Sequence, residues 1–464
     1  MKTYLHNTLS GEIELFEPIE KGVVSMYHCG PTVYSRAHIG NLRAYVFSDI
    51  LKRYFLYQGF KVNQVINITD VGHLTDDNDD GEDKIEMKAR EAKLSAQDIV
   101  EEVTKFFFND LKSLNINTEG TLFPKASEHI PEQIQMIQVL EQKGHVYQTA
   151  DGIYFDTSTY PPYGKLGNID IENLKEGARV EINKEKRNPT DFALWKFSKP
   201  EDKRQQEWQS PWGIGFPGWH IECSAMSKKY LGETFDIHTG GVDHIPVHHN
   251  NEIAQSESAN GKELANFWLH FKHILINNEK ISKSLGNDVY IDDLLKKNIS
   301  PLAYRYWLLT ADYKTQINFT WEAVTASKTA FEKLVIQISN FDKGGEINST
   351  YKERFLKLLS DDLNTPQAIA LIWELLKNSA VSEKDKRATV LDFDKVLGLN
   401  LESIANLASK IQINVPDTIK NLIAERETAR KNGDFIKADA LREMIIDEGY
   451  DIKDTPEGPK ISLV

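Results

Sequence analysis

The chain has 464 residues, 40% of them hydrophobic and 27% charged, and its formal net charge at pH 7 is −14. This length predicts two to four domains, and the acidic balance argues against a general nucleic-acid coat protein while leaving room for a local basic surface. Two cysteines, no apolar run of about 18 residues and no signal-peptide pattern at the N-terminus together predict a cytoplasmic protein without membrane association.

The first elements predict a strand–helix–strand unit. Residues 23–28 form an apolar run, which residues 30–32 end with Gly and Pro. Apolar side chains at helical spacing predict a helix over residues 39–58 that stops at Gly59, and residues 62–68 predict the next strand. A unit of this length is expected to join two parallel strands through a right-handed crossover.

Beyond this unit the pattern becomes less regular. The acidic residues 76–83 match only the first half of a calcium-binding loop, so we interpret them as a solvated loop. Residues 95–118 and 127–143 predict helices, and a turn at residues 151–152 predicts a hairpin. Residues 156–217 are rich in Pro, Lys, Glu and Trp and have little periodicity, which predicts an insertion carried on a core rather than part of a regular sheet.

The second half of the chain begins with another strand–helix step. Residues 235–238 predict a strand, residues 248–258 a helix, and residues 273–276 a further strand. Between about residue 320 and about residue 448 every strong pattern is helical. The stretch from Gly449 onward is short and predicts no regular structure.

Two cysteines, a histidine and a glutamate are candidates for a metal site. Cys29 ends the first apolar run, and Cys223 lies far downstream, shortly before His248 and Glu252. The last two are four residues apart and project from one face of a helix. Two thiolates, one imidazole and one carboxylate suit a four-coordinate zinc ion. The spacing alone fits a plainer interpretation equally well, with the cysteines as small buried apolar residues and the His/Glu pair on an exposed helix face.

Two short motifs predict contacts with a nucleotide. HIGN at residues 38–41 lies at the strand-to-helix turn, where backbone N–H groups and the positive helix end can meet phosphate. There, Gly40 allows a purine ring to approach the backbone, and His38 can donate to a phosphate oxygen. KISKS at residues 280–284 offers two lysines to a triphosphate. Taken separately, the motifs equally fit a helix-capping histidine and a solvated Lys/Ser loop.

Together, in this order, the two motifs resemble the paired signatures of class I aminoacyl-tRNA synthetases, and longer segments resemble the cysteinyl-tRNA synthetase family. These segments are CGPTVY at 29–34, GWHIECSAM at 218–226, DIH at 236–238 and HHNNEIAQS at 248–256. The tail adds Ala429-Arg430, Asp434-Phe435, Ala438-Asp439 and Asp454-Thr455-Pro456. The resemblance runs from about residue 2 to about residue 457.

The resemblance implies a role for each matching residue. The implied zinc ligands are Cys29, Cys223, His248 and Glu252. The implied catalytic residues are His38, Asn41, Lys280 and Lys283. The residues implied to bind ATP, which enters with Mg²⁺, are Gly40, Gly241, Asp243 and Lys283. Those implied to contact the substrate L-cysteine are Thr32 and Trp219. The implied macromolecular partner is tRNA(Cys), and we expect a monomer with one zinc ion per chain.

The implied fold is α/β, with a Rossmann-type parallel-sheet catalytic domain split by an insertion, then an α-helical bundle and a small anticodon-binding module. The expected domains are the first catalytic half at 1–122, the connective insertion at 123–217, the second catalytic half at 218–270, a connector with the KISKS loop at 271–325, the helical bundle at 326–400 and the C-terminal module at 401–464.

The sequence departs from the family pattern at three places, one of which is the acidic loop at residues 76–83, which is longer than in the common family form. The family usually has FPHHENE where this chain has PVHHNNE at residues 246–252, a change that keeps the glutamate ligand. The ending PKIS at residues 459–462 also differs, which puts anticodon contacts there in doubt. Two other functions fit less well. A ligase that joins cysteine to an amino sugar would not need the helical tail, and a catalytically dead tRNA-binding regulator would not need the zinc and ATP residues.

Overall fold

The computed structural model describes residues 1–72, 83–169, 185–199, 204–281, 286–410, 416–455 and 458–463. The chain divides into two compact units: Met1–Leu334 with Phe341–Asn400, and Val335–Asn340 with Leu401–Val464. Within the described ranges, every helix is too short or too polar to cross a bilayer.

The strands of the described residues are β1 (Thr3–Asn7), β2 (Glu12–Phe16), β3 (Val23–His28), β4 (Lys61–Ile66), β5 (Thr121–Leu122), β6 (Val146–Gln148), β7 (Gly152–Phe155), β8 (Phe192–Phe197), β9 (Trp208–Ser210), β10 (Gly213–Pro217), β11 (Phe235–Gly241), β12 (Ala265–Phe271), β13 (Ile274–Ile276), β14 (Glu279–Lys280), β15 (Ile317–Phe319), β16 (Tyr450–Thr455) and β17 (Gly458–Leu463). The α-helices are Ile39–Tyr57, Lys84–Ala92, Ala96–Ser113, Ile130–Gln142, Trp219–Leu231, Asn250–Asn260, Ile291–Lys296, Pro301–Leu309, Trp321–Asn340, Ser349–Ser360, Thr365–Lys377, Glu383–Leu397, Leu401–Lys410, Asp417–Lys431 and Phe435–Asp447.

The central sheet of the larger unit confirms the predicted α/β class. Its strand order is β12-β11-β3-β4-β5, and every neighbouring pair in it is parallel. The helix Ile39–Tyr57 connects β3 to β4 and buries most of its length, as the predicted strand–helix–strand unit requires. Because parallel strands share one direction, the carboxyl ends of β3 and β11 lie side by side, and this edge holds the predicted site residues.

The insertion forms a second, largely antiparallel sheet, and the prediction of an irregular segment over residues 156–217 is therefore wrong. The strand order is β6-β7-β8-β10-β9, so three strands of this sheet come from the segment. The first four residues of β8 are all buried. A strand covered on both faces has no apolar–polar alternation, which removed the sequence signal on which the prediction depended.

A small three-stranded sheet and two helices follow the central sheet. β13 pairs with β14 antiparallel and with β15 parallel, and the helices Ile291–Lys296 and Pro301–Leu309 lie between β14 and β15 in sequence. The fully buried Arg305 donates to the carboxylate of Asp49 at 2.6 Å and to the carbonyls of Leu114 and Leu397. A buried guanidinium with its donors satisfied in this way fixes these segments relative to the central sheet.

The smaller unit contains the last helices and a terminal hairpin. The helices Asp417–Lys431 and Phe435–Asp447 pack together with strand β16, and their apolar contacts are made by Ile419, Ile423, Ile445 and Ile452. β16 and β17 pair antiparallel from Tyr450 to Leu463, so the prediction that this stretch is irregular is wrong. Arg426 donates to both carboxylate oxygens of Asp454 at 2.9 and 3.0 Å. This ion pair joins the helix Asp417–Lys431 to β16, a contact that sequence periodicity does not predict.

Candidate active site

A cavity of about 450 Å³ lies at the carboxyl ends of β3 and β11. The sequence-predicted residues that line it are Cys29, Thr32, His38, Gly40, Asn41, Trp219, Cys223, Gly241, Asp243, His248 and Lys280. Glu252 is fully buried next to Cys29 and His248. Lys283 and most of the acidic loop 76–83 lie outside the described residues. One cavity therefore collects residues that are more than 240 positions apart in the sequence.

The four predicted metal ligands converge from four elements. Cys29 directly follows β3, and Cys223 lies in the second turn of the helix Trp219–Leu231. His248 belongs to a π-helical turn over Ile245–His249, and Glu252 lies in the first turn of the helix that follows. One donor atom from each lies within 4.8 Å of all the others, and all four residues are buried. The chain thus places two sulfurs, an imidazole nitrogen and a carboxylate oxygen around one point.

Neighbouring histidines fix the orientation of Glu252. Its Oε1 lies 3.0 Å from Nε2 of His248, and its Oε2 lies 3.0 Å from Nε2 of His238. Burial acts to raise the pKa of Glu252, but the two imidazoles outweigh it and hold the pKa well below its ordinary value. Glu252 is therefore a carboxylate at neutral pH, which is the form that binds a metal.

The two thiols form an unequal pair. A hydrogen bond from Cys29 lowers the pKa of Cys223 to about 7, with His248 adding to the shift and burial opposing it. For Cys29, burial and the nearby acidic groups raise the pKa. Both cysteines are free of disulfides. A buried thiol pair beside an imidazole and a carboxylate suits a thiophilic, tetrahedral ion such as zinc better than magnesium or calcium, which prefer oxygen donors.

Sequence reasoning missed a layer of histidines behind the ligands. His249 Nε2 lies 3.2 Å from the sulfur of Cys29, and its Nδ1 lies 2.8 Å from Nε2 of His270. With Cys29 and Glu252, the residues His238 and His249 make a second group whose donor atoms lie within 4.8 Å of one another. His238 and His249 lie in the DIH and HHNNEIAQS segments of the sequence. A single histidine in a strand or helix, however, does not indicate which residue it will contact in the fold.

The two predicted cysteine-contacting residues line the cavity that contains the metal-ligand group. Trp219 occupies the first turn of the helix that carries Cys223, and its ring centroid lies 4.4 Å from that of His248. Thr32 bridges to Thr69 in a parallel pairing, which holds the segment after Cys29 against the segment after β4. The Trp219 ring and Thr32 therefore line the same cavity as the two cysteines.

The turn at residues 38–41 is locked by a reciprocal cap. His38 Nδ1 accepts from the backbone N–H of Asn41, and Asn41 Oδ1 accepts from the backbone N–H of His38, each at 3.2 Å. Because Nδ1 is an acceptor, a neutral His38 ring carries its proton on Nε2. An added Cβ on Gly40 would lie 2.7 Å from Ile281 Cδ1 and 3.0 Å from the His38 ring, so a larger residue here would displace these side chains.

The remaining predicted nucleotide contacts lie across the cavity. A Cβ on Gly241 would approach Asp243 Oδ1 to 2.3 Å, so the glycine allows the carboxylate to fold back over the end of β11. Asp243 Oδ1 lies 4.0 Å from His273 Nδ1. Lys280, the second residue of β14, is exposed and also lines the cavity. The first lysine of the KISKS motif thus reaches the same space as the HIGN turn.

Comparison with known proteins places this geometry in context. The family model described as "tRNA synthetases class I (C) catalytic domain" matches residues 15–329. Cysteine–tRNA ligase 1 of Burkholderia lata is 46% identical, covering 99% of this chain and 97% of the relative, and cysteine–tRNA ligase of Treponema denticola is 43% identical, covering 98% of each. A structure of Mycobacterium tuberculosis methionyl-tRNA synthetase with methionyl-adenylate has a TM-score of 0.57 at 14% identity, covering 83% of this chain and 91% of that one, which shows a shared fold.

Proposed function

The chain belongs to the cysteine–tRNA ligase family of class I aminoacyl-tRNA synthetases, and we propose that its cavity activates L-cysteine with ATP and then charges tRNA(Cys). In the first step a carboxylate oxygen of cysteine attacks the α-phosphorus of ATP and displaces pyrophosphate. In the second step a terminal ribose hydroxyl of the tRNA attacks the cysteinyl carbonyl and releases AMP. The observation that carries the proposal is that two buried thiols, His248 and Glu252 converge at one point, and three of these residues line the cavity that the HIGN turn also lines.

Zinc is the metal that these donors fit best. Cys29, Cys223, His248 and Glu252 would hold the ion, which supplies a thiophilic centre able to take a substrate sulfur as an additional ligand. His238 orients Glu252 by contacting the carboxylate oxygen Oε2, while Oε1 faces His248. Trp219 would close one wall of the pocket and Thr32 would contact the amino acid from the other side. Because cysteine and serine are nearly isosteric, shape alone discriminates between them poorly, and a bond to sulfur is the feature that separates them.

The nucleotide would bind between the HIGN turn and the KISKS region. His38 can donate from Nε2 to a phosphate oxygen, with Asn41 holding the ring in place. Gly40 and Gly241 leave room for the nucleotide to approach the backbone closely. Asp243 would accept a hydrogen bond from a ribose hydroxyl, and Mg²⁺ would accompany the phosphates. Lys280 and Lys283 would stabilise the negative charge that develops on the phosphates during the reaction. Acceleration then comes from positioning and electrostatics, without a covalent enzyme intermediate.

The rest of the chain would serve the tRNA. The proposed domains keep the bounds 1–122, 123–217, 218–270, 271–325, 326–400 and 401–464. Of these, the helical bundle at 326–400 and the C-terminal module at 401–464 would hold the tRNA. We also infer a monomer and a cytoplasmic location, where the thiols of Cys29 and Cys223 stay reduced.

The proposal is tested by cysteine-dependent exchange of pyrophosphate into ATP, measured alongside charging of tRNA(Cys). Both reactions are expected with cysteine, and exchange is expected without tRNA. Exchange without charging would favour a ligase that uses another acceptor. Loss of both reactions in folded, zinc-loaded protein would contradict a synthetase.

Removing residues 401–464 is expected to separate the two reactions. These residues make up most of the smaller compact unit, and the metal and nucleotide residues all precede them. The truncated chain should retain cysteine-dependent exchange within about threefold, while kcat/KM for tRNA charging should fall by about 10²-fold because contacts remote from the reacting atoms are lost. Circular dichroism must first show that the truncated chain folds. Undiminished charging by the folded truncate would show that these residues do not hold tRNA.

A further inference from the structure

Arg36 lies two residues before the HIGN turn and lines the same cavity. Its side chain is only 18% exposed. The guanidinium is packed between two rings, 4.8 Å from the ring centroid of Phe106 and 5.7 Å from that of Tyr290. Packing on aromatic faces restricts its rotation and strengthens its polar contacts by excluding water.

The guanidinium joins two carboxylates from different parts of the chain. It donates to both oxygens of Asp110 at 2.7 and 3.1 Å, and Asp110 belongs to the long helix Ala96–Ser113. It also donates to Asp292 at 2.5 Å, in the short helix Ile291–Lys296 that follows the KISKS motif. The Asp110 side chain is 3% exposed and that of Asp292 54% exposed. Asp110 therefore holds the guanidinium in place, and the contact with Asp292 joins Arg36 to the helix Ile291–Lys296 of the connector.

Two further contacts join the HIGN turn to residues that follow the KISKS motif. The backbone N–H of Ile39 donates to the carbonyl of Val289 at 2.9 Å, and the hydroxyl of Tyr304 donates to the carbonyl of Ile39 at 2.9 Å. Within the KISKS motif itself, the Ile281 side chain packs against Gly40. The connector therefore meets the HIGN turn both within the motif, at Ile281, and after it, and the Arg36–Asp292 pair is the charged part of this contact.

We propose that Arg36 is a positioning residue for adenylate formation. Through its contact with Asp292, Arg36 holds the residues after the KISKS motif at a fixed position relative to the HIGN turn. The inference rests on the proposed function. Two phosphate-binding elements must be correctly spaced for both to reach the transition state, and displacement of one by about 1 Å can cost up to about 10²-fold in rate. Neither Arg36 nor Asp292 needs to touch a substrate for this role.

Asp292→Ala is the decisive variant because it breaks the link and leaves the Arg36–Asp110 pair intact. We expect kcat for cysteine-dependent pyrophosphate exchange to fall by about tenfold or more, with KM for cysteine and zinc content unchanged. Asp292→Glu, which keeps the carboxylate, should restore part of the rate. Lys296→Ala is the matched control, since it breaks an exposed ion pair with Asp293 on the same helix and should leave the rate within about twofold.

A second background tests whether the effect passes through Arg36. Arg36→Met keeps an unbranched side chain against the rings but removes the charge, so adding Asp292→Ala to it should cause no further loss. A wild-type rate for Asp292→Ala, or the same fold-loss in both backgrounds, would overturn the assignment. Absence of exchange in the unaltered chain would instead overturn the proposed function and this inference with it.

Discussion

Replacing Cys223 with serine is expected to lower kcat/KM for cysteine activation by about 10³-fold or more and to remove most of the bound zinc. A serine hydroxyl stays protonated at neutral pH and is a far weaker ligand than a thiolate, so three donors would remain around the ion. The measurements are metal content per chain by atomic emission and the rate of cysteine-dependent pyrophosphate exchange. The two losses should occur together, since in the proposed mechanism the same ion would both complete the site and contact the substrate.

The matched control is Ser227→Ala, one turn further along the same helix. Ser227 is fully buried and donates to the carbonyl of Ser224, so the variant changes a buried polar group of similar size without touching the cavity. It should keep its zinc and most of its activity. If Cys223→Ser holds about one zinc per chain and activates cysteine nearly as well as the unaltered protein, Cys223 is not a ligand.

Lys283→Ala is expected to slow adenylate formation by about 10² to 10³-fold while changing the ATP dissociation constant by no more than about threefold. The ammonium is expected to meet the phosphates mainly in the transition state, when negative charge moves toward the leaving pyrophosphate. Single-turnover measurements separate the forward rate from ground-state ATP binding.

Lys262→Ala serves as the control for loss of a lysine, because Lys262 makes an exposed ion pair with Glu233 outside the cavity. This variant should behave like the unaltered protein. Weakened ATP binding with an unchanged forward rate in Lys283→Ala would show that the lysine acts in the ground state.

The candidate site could be predicted from sequence to the extent that local motifs carry it. The HIGN turn is a local structure, and its capping contacts between His38 and Asn41 follow from residues three apart. That Cys29 and Cys223 would meet came from the family resemblance, since their separation in the chain gives no distance in space. The contacts of His238 and Arg36 depend on how strands and helices pack, and no local pattern encodes them.

The fold shows the same division. The parallel pair β3–β4 and its connecting helix follow from periodicity, because each element has one clearly apolar face or is apolar throughout. β8 was missed because it is buried on both faces, and the hairpin β16–β17 because short strands near Gly and Pro resemble irregular ends. The order β12-β11-β3-β4-β5 depends on contacts between residues more than 200 positions apart.

The central claim is that a metal in this cavity recognises the substrate sulfur next to the nucleotide site. The most direct test is the ratio of kcat/KM for cysteine to that for serine in pyrophosphate exchange, measured on protein that holds about one zinc per chain. The account predicts a ratio of about 10⁴ or more, because a hydroxyl has no counterpart to the bond between sulfur and zinc. A ratio of about 10² or less would contradict it, since the pocket would then select its substrate by shape and the metal would be structural.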